Sequence, residues 1–459
     1  MIGLVNRSGY TQPVMSRELT EAPVQGLIRK MALPASIGFF FNTMYNVVDT
    51  YFGGQISTTA LAAMSLSFPV FFLIIIFDSG TSTGTTALLA NIIGEGDHKK
   101  AERYTGQVLS FGVLVSIILT FAGLLLSPAI FKLLGAQGEY LALALSFMNV
   151  IFYGSIFFMM IGVINSVLQA TGNTTTYRNF LIFGFVLNCL LDPWFLYGGF
   201  GLPALGLPGI ALATVTVEFV GCIYIYYRAT RTGLITRETF RHIVPKWPAM
   251  KEIITQALPS CLNLATVGLG IFVITYFISA FGQAAVAAYG IATRIEQITL
   301  LPTIGLTIAA LSIIGQNNGA KKFDRVREAY RLCVRFGTII MAVGAVLMFF
   351  VRAPLMRLFT DNKETIAIGS HYLMFASFIF VAYALLFISV SALQGIKRPM
   401  YAIWIGLYRQ IVAPVTIFYL LTKIFHLGLD GIWWGIFIVT WSAAIVTVWY
   451  ARRVLARLK

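Results

Sequence analysis

Charged side chains are scarce in this sequence. Only 11% of the 459 residues are Asp, Glu, Lys or Arg, whereas a soluble domain carries about 25%, so an ordinary soluble protein is excluded. The four Cys and four His stand apart, without the spacing of a zinc site, a His-x-x-x-His pair or a disulfide framework. A Gly-x-x-x-x-Gly-Lys-Ser/Thr phosphate loop is missing as well. These gaps argue against an enzyme and an ATP-driven pump, and no cofactor is expected.

Apolar residues make up 58% of the chain, enough for on the order of a dozen membrane-spanning helices of about 20 residues each. Short breaks that carry Gly, Pro or charge separate the apolar runs, and the runs are too long for the strands of an outer-membrane barrel. We predict an all-α integral membrane protein with twelve transmembrane helices, centred near Phe41, Phe71, Ile117, Phe157, Phe185, Val217, Phe272, Leu301, Met341, Phe380, Val415 and Val439.

Basic residues gather on alternate breaks between these runs. If the chain starts on the cytoplasmic side, 26 of the 33 Lys and Arg residues fall in cytoplasmic segments and 5 in outer ones, as the positive-inside rule requires. Arg294 and Arg409 are left within spans. This distribution predicts a multi-pass protein of the inner (plasma) membrane with both termini cytoplasmic. The net charge of +15 then needs no nucleic-acid partner.

The two halves of the sequence repeat each other at a separation of about 225 residues. Leu33-Pro34 matches Leu258-Pro259, and the run at 60–63 matches the run at 285–288. Six spans per half is an even number, so both halves enter the membrane in the same orientation, as in many transporters. A duplicated scaffold without transport is the alternative. We predict two pseudo-symmetric six-helix lobes joined by a cytoplasmic linker, with bounds 1–230, 231–250 and 251–459.

Three motifs resemble those of the multidrug and toxic compound extrusion (MATE) transporters. They are the Asn-Val-Val-Asp segment at 46–49, the Asn-Cys-Leu-Leu-Asp-Pro segment at 188–193 and the Ala-Thr-Arg-Ile-Glu run at 292–296. The resemblance covers nearly the whole chain. It implies a V-shaped pair of helical bundles that alternate between outward-open and inward-open states while cation influx drives export of amphipathic, often cationic, compounds.

The resemblance also implies a coupling site. In the DinF-like branch this site lies in the N-lobe, and Asp49, Asn188, Asp192 and Thr214 fall on that branch's pattern. The NorM-like branch adds an acid in the tenth span, and residues 371–393 contain none. The expected function is therefore secondary antiport of drug-like small molecules by a monomer in the bilayer, with H⁺ favoured over Na⁺. A lipid-linked oligosaccharide or lipid flippase is the alternative, since Arg294 and Arg409 suit a cationic cavity.

A polar stripe marks the first span. Asn42, Tyr45 and Asn46 precede Asp49 by seven, four and three residues, so all four side chains share one helix face. Lipid cannot solvate such a stripe, which predicts a cavity or a partner helix opposite it. An interfacial carboxylate near the outer loop is the structural alternative for Asp49.

The fifth span offers a second acid. Asn188 lies one turn before Asp192, and Pro193 cannot donate a backbone hydrogen bond, which loosens the helix beside the carboxylate. Two nearby carboxylates in a medium of low dielectric constant cannot both stay ionised cheaply, so one would hold a proton. With Asn188 and Thr214, the same oxygens of Asp49 and Asp192 could instead ligate Na⁺.

Five further candidates carry open alternatives. Glu218 follows Thr214 by one turn and is either a proton relay, a substrate counter-charge or a packed polar group; Asp78 is weaker. Arg294 and Glu296 are two residues apart on a helix and do not face each other. They and Arg409, which cannot lose its proton, serve either in a lobe-stabilising network or in gating and substrate contact.

Pro34 interrupts the bonding ladder of the first helix 15 residues before Asp49. The family resemblance implies that this helix bends in some members when the acid is protonated. We therefore expect Pro34 to be a helix-bending position.

Overall fold

The computed structural model describes residues 18–199 and 201–459. Over these ranges the chain is helical almost throughout, and extended backbone pairs only in an isolated bridge between Gly199 and Leu202. The prediction of an all-α protein is confirmed. The first 17 residues, on which the predicted cytoplasmic start of the chain depends, lie outside the described residues.

The chain divides into two compact units. Unit 1 contains Ile37–Cys261, and unit 2 contains Glu18–Ser36 together with Leu262–Lys459. The chain passes from one unit to the other inside two continuous helices, α2 (Val24–Ile56) and α10 (Trp247–Ser279). The lobe and linker bounds 1–230, 231–250 and 251–459 stay a prediction.

Unit 1 holds most of the first six spans. Asp97 caps one of its helices by accepting a hydrogen bond from the backbone N–H of Lys100 at 2.9 Å, and Gly154 separates two others that meet at a bend of 45°. In addition to its parts of α2 and α10, unit 1 consists of α3 (Thr58–Gly94), α4 (His98–Leu133), α5 (Gly138–Tyr153), α6 (Ser155–Ala170), α7 (Thr175–Tyr197), α8 (Leu207–Thr230) and α9 (Arg237–Arg241).

Unit 2 holds most of the remaining spans. Its eleventh span changes from α-helical to π-helical hydrogen bonding at Tyr408–Val412 and again at Leu420–Ile424. In addition to its parts of α2 and α10, unit 2 consists of α1 (Glu18–Glu21), α11 (Gln283–Gly319), α12 (Phe323–Arg357), α13 (Lys363–Gly395), α14 (Met400–Leu407), α15 (Ala413–Tyr419) and α16 (Gly428–Ala456).

Ten spans of the described chain are long and apolar enough to cross a bilayer, and the bent pair α5–α6 would add an eleventh. The one remaining predicted centre, Phe41, lies in α2. Its 33 residues suffice by length, but Asn42 and Asn46 lower its mean hydropathy. All twelve predicted centres thus fall on long helical segments.

The internal duplication is visible in helix length. The helices α2 and α10 both have 33 residues, α3 and α11 both have 37, and α4 and α12 have 36 and 35. The halves differ later, because the single 33-residue helix α13 occupies the place of the bent pair α5–α6. Repeated helices therefore come from repeated sequence, and the halves differ at the break beside Gly154 and at the π-helical segments of the eleventh span.

Candidate functional site

Helix α7 positions two polar side chains in the interior of unit 1. Asn188 and Asp192 are one turn apart, so they lie on the same helix face, and both have 0% of their surface exposed. Asn188 Nδ2 donates a hydrogen bond to Asp192 Oδ1 at 3.0 Å. Pro193 follows inside the same helix. The amide and the carboxyl group thus form a buried pair.

Helices α2 and α8 complete the arrangement. Asn188 Nδ2 also donates to Asp49 Oδ1 at 2.9 Å, and the Thr214 hydroxyl donates to Asp49 Oδ2 at 3.4 Å. The Thr214 hydroxyl lies 3.1 Å from the backbone oxygen of Ile210 as well. Asp49, Asn188, Asp192 and Thr214, which the sequence predicted as one site, therefore meet in space. We call these four residues the amide-bridged cluster.

The cluster has carboxyl groups but no cation. Among the described residues, the ion pairs and hydrogen bonds of Lys, Arg and His side chains do not include Asp49 or Asp192. The Asn188 amide brings the two carboxyl groups close to each other, and Asp192 Oδ2 is buried without a donor among the described residues. Ionised carboxylates only accept hydrogen bonds, so a proton between them would satisfy both. The arrangement is suited to taking up a single positive charge.

The remaining polar residues of α2 lie beside the cluster rather than in it. Asn42 and Asn46 are exposed, and Asn46 Nδ2 donates to the backbone oxygen of Asn42 at 2.8 Å. Tyr45 is partly buried, and its hydroxyl oxygen is enclosed without a hydrogen-bond partner among the described residues. Only Asp49 of the predicted stripe therefore makes contact with α7 through hydrogen bonds.

Two further acids lie in unit 1. Glu218 is on α8, one turn after Thr214, and its charge interacts with that of Asp78 on α3. Asp78 Oδ1 is buried without a hydrogen-bond partner, and an added Cβ at Gly162 of α6 would overlap it. The charges of both acids also act on the hydroxyl group of Tyr177 in α7. Glu218 and Asp78 are thus a second acidic pair, and within the described part of the chain neither side chain makes a hydrogen bond.

Unit 2 has its own buried carboxylate. Glu296 is 6% exposed and accepts a hydrogen bond from the Tyr372 hydroxyl at 2.7 Å. The charge of Arg409 acts on Glu296, and the Arg409 guanidinium lies 5.5 Å from the ring centre of Tyr383. Arg294 is exposed, so it shares no helix face with Glu296. We call Glu296, Tyr372, Tyr383 and Arg409 the tyrosine–arginine cluster.

Tyr372 and Tyr383 were missed by the sequence reasoning, which searched the tenth span only for acids. Both are on α13, where a Tyr reads as one more large apolar residue. The available signal was a phenolic hydroxyl inside an apolar span, because such a group has to find a partner when it is buried. That partner is Glu296.

Pro34 lies within the continuous helix α2, two residues before the point at which α2 passes from unit 2 to unit 1. It has no backbone N–H to donate to residue 30. Pro259 is placed in the same way in α10, two residues before that helix passes from unit 1 to unit 2. Both prolines therefore mark the transitions of the chain between its units.

A family model described as MatE matches the chain twice, at residues 34–194 and 259–420. The probable multidrug resistance protein NorM of Thermotoga maritima is 26% identical over 415 residues, which are 88% of this chain and 87% of that protein. The FAD transporter of Shewanella oneidensis is 26% identical over 397 residues, 86% of this chain and 87% of that protein.

Solved structures match the fold over nearly the full length. The outward-facing conformation of a multidrug resistance MATE family transporter of the MOP superfamily has a TM-score of 0.89 and 26% identity. The match covers 96% of this chain and 98% of that chain. Other matching structures are described as the straight and the bent conformation of MATE, with TM-scores of 0.89 and identities of 26% and 25%.

Proposed function

We propose that this chain, which belongs to the multidrug and toxic compound extrusion (MATE) family of membrane transporters, is a cation-coupled exporter. In this proposal H⁺ enters through the amide-bridged cluster of unit 1 while amphipathic, often cationic, compounds leave. Members of the family are transporters and not enzymes. The branch within the family, the plasma (inner) membrane location, the cytoplasmic termini and the monomeric state belong to the same proposal.

The orientation of the Asn188 amide is the observation that carries the proposal. Its Nδ2 atom donates to both Asp49 and Asp192, so the amide turns hydrogens toward the carboxyl groups. A Na⁺ ion takes oxygen ligands, as other hard cations do, and the amide nitrogen that faces the two carboxyl groups would not ligate it. A proton needs only the two carboxyl groups. This geometry supports H⁺ over Na⁺ as the coupling ion.

Charge is the link between the ion and the substrate. An ionised cluster attracts a cationic compound, and a proton that neutralises the cluster removes that attraction. Glu218 and Asp78 extend the acidic character of unit 1, which supports a cationic substrate. Relatives that are named as multidrug resistance proteins support a cationic drug-like substrate. Another relative is named as an FAD transporter, so transport of an anionic compound is the alternative that the experiment has to exclude.

The experiment reconstitutes the purified full-length chain in liposomes and follows efflux of a fluorescent organic cation under an imposed pH gradient or Na⁺ gradient. We expect the pH gradient to drive export, and Asp49→Asn and Asp192→Asn to reduce it to the background of empty liposomes. Asp361→Asn, at an exposed loop position, is the matched control and should transport normally. Normal export by both cluster variants would remove the coupling proposal.

Two other outcomes redirect the assignment. Export driven by the Na⁺ gradient alone would replace H⁺ by Na⁺ at the same four residues. If neither gradient moves a small cation while a lipid-linked oligosaccharide crosses the bilayer, the flippase alternative is correct.

A further inference from the structure

A cavity of about 470 Å³ opens in unit 2 beside the turn between α11 and α12, near the end of α16. Five cationic side chains line it, against the single carboxylate of Asp324. The cations are Lys321, Lys322, Arg325, Arg327 and Lys459. We call this the basic cavity. Its net positive charge raises the question of what neutralises it.

The protein supplies little of that neutralisation. Arg327 forms an ion pair with Asp324 at 2.8 Å. Lys322 Nζ donates to the backbone oxygen of Thr20 at 3.0 Å, and Arg325 donates to that of Ala22 at 2.6 Å. Backbone oxygens position these cations but carry no formal charge, and Asp324 is the one acidic side chain among the residues that line the cavity.

Two lysines have no partner at all within the described ranges. The side chains of Lys321 and Lys459 make neither a hydrogen bond nor an ion pair there, and both residues are exposed. Lys321 also has a φ of 55°, a backbone conformation that disfavours side chains other than Gly, Asn and Asp. The turn therefore places a free ammonium group at the cavity at some cost in backbone energy.

In the corresponding turn of unit 1, between α3 and α4, acidic side chains interact directly with the residues of the turn. There the carboxylate of Glu95 pairs with Lys100 at 2.7 Å, and Asp97 caps the first turn of α4. In unit 2 the residue before the first turn of α12 is Lys322, which makes no such cap. The positive-inside rule predicts Lys and Arg in both turns but does not explain why Lys322 rather than a capping acid precedes α12.

We propose that the basic cavity binds the phosphate of an anionic phospholipid headgroup. The cavity lies at the ends of α11, α12 and α16, and each of these helices contains a segment that is apolar enough to cross a bilayer, so the cavity is on a side of unit 2 that faces a membrane surface. The half-buried side chains of Phe323 and Leu458 also line it and provide an apolar contact for the lipid glycerol and the first methylenes. Basic pockets of this kind at helix ends suit acidic headgroups.

Native mass spectrometry of the detergent-solubilised full-length chain tests the proposal. The probes are dioctanoyl phosphatidylglycerol, dioctanoyl phosphatidylcholine and inorganic phosphate, each over a range of ammonium acetate concentrations. We expect preferential binding of one phosphatidylglycerol that weakens as salt rises. Because each basic residue near an acidic lipid contributes about 1 kcal/mol, removing one lysine should weaken binding about fivefold.

The variants are chosen to leave the fold intact. Lys321→Gly suits the positive φ, and Lys459→Ala lies at the last residue of the chain; the double variant should lose about 25-fold in affinity if the two effects add. Lys99→Ala with Arg103→Ala, exposed positions near the corresponding turn of unit 1, is the matched control and should bind as the parent does. Each variant is first checked for monodisperse elution.

Three outcomes overturn the proposal. Equal binding of phosphatidylglycerol and phosphatidylcholine would show that charge does not select the ligand. Unchanged binding by the double variant would place the lipid elsewhere. Inorganic phosphate that binds as tightly as the lipid would make the cavity a site for a soluble anion. None of these readouts depends on transport activity.

Discussion

The two units bury acidic side chains in opposite ways. In unit 1, Asp49 and Asp192 are joined by the neutral amide of Asn188, at 2.9 and 3.0 Å. In unit 2, Glu296 accepts from the Tyr372 hydroxyl at 2.7 Å and has the positive charge of Arg409 nearby. One cluster lacks a cation of its own, and the other has one built in.

This difference lies in the charge that each cluster contains. Arg409 keeps its positive charge under physiological conditions and acts on the carboxyl group of Glu296, so the tyrosine–arginine cluster includes a permanent cation. Asn188 offers hydrogen bonds but no charge to Asp49 and Asp192. Duplication therefore supplied two similar scaffolds, and sequence divergence placed a permanent cation beside the buried carboxyl group of only one of these two clusters.

The largest effect should come from removing the bridge of unit 1. Asn188→Leu keeps the approximate volume of the side chain but takes two hydrogen bonds away from carboxyl groups, each worth about 1.5–3 kcal/mol. We expect export driven by a pH gradient to fall more than about tenfold. Arg409→Gln, which removes the cation of the tyrosine–arginine cluster in unit 2, is the comparison. It should keep gradient-driven export, and equal losses in the two variants would contradict a coupling role confined to unit 1.

The helix that carries the first acid allows a second test. Pro34→Ala restores a backbone hydrogen bond in α2 and favours the straight helix by up to about 3 kcal/mol. We expect normal expression, equal or higher thermal stability and slower export, because α2 should bend when the cluster is protonated. Pro259→Ala makes the same change in α10, which has Ile274 where α2 has Asp49. It should leave coupling intact, and unchanged export by Pro34→Ala would remove the bend from the mechanism.

The residues of the amide-bridged cluster could be predicted because they are polar in an apolar context. Asn188 and Asp192 share a face through helical spacing, and Asp49 and Thr214 were added by the family pattern. Spacing within one helix could not show that a single amide serves both carboxyl groups. That contact depends on how α2 and α7 pack, which only the folded chain determines.

Sequence patterns also could not predict that α2 and α10 are each divided between the two units. Residues 18–36 belong to unit 2 although they include the first part of α2, most of which lies in unit 1. Asn317 donates to the backbone oxygen of Leu19 at 2.9 Å and Arg325 to that of Ala22 at 2.6 Å. Conversely, Gln107 of α4 accepts from the backbone N–H of Lys246 at 2.7 Å. These polar contacts join residues that are more than 130 positions apart in the sequence, and hydrophobic periodicity does not predict such contacts.

In unit 2 a smaller effect should appear in stability rather than in transport. Tyr372→Phe removes the hydroxyl that donates to Glu296 and leaves a buried carboxylate with one donor fewer. We expect the apparent free energy of unfolding in detergent to fall by about 1–3 kcal/mol, because a buried oxygen of Glu296 loses its donor. The pH dependence of export should stay that of the parent protein. A shifted pH dependence would show that the tyrosine–arginine cluster takes part in coupling after all.

The smallest effect concerns packing around the second acid pair of unit 1. In Gly162→Ala the new Cβ would overlap Asp78 Oδ1, and such overpacking costs about 1–3 kcal/mol. Replacing Gly by Ala inside a helix returns about 0.5–1 kcal/mol, so the net destabilisation should be close to about 1 kcal/mol. Gly290→Ala in unit 2, with no atom within 4 Å of the added Cβ, should be neutral or slightly stabilising. If Asp78→Ala abolishes the penalty of Gly162→Ala, then α6 holds the Asp78 carboxyl group in place by direct contact; an undiminished penalty would mean that Gly162 is required by the helix packing alone.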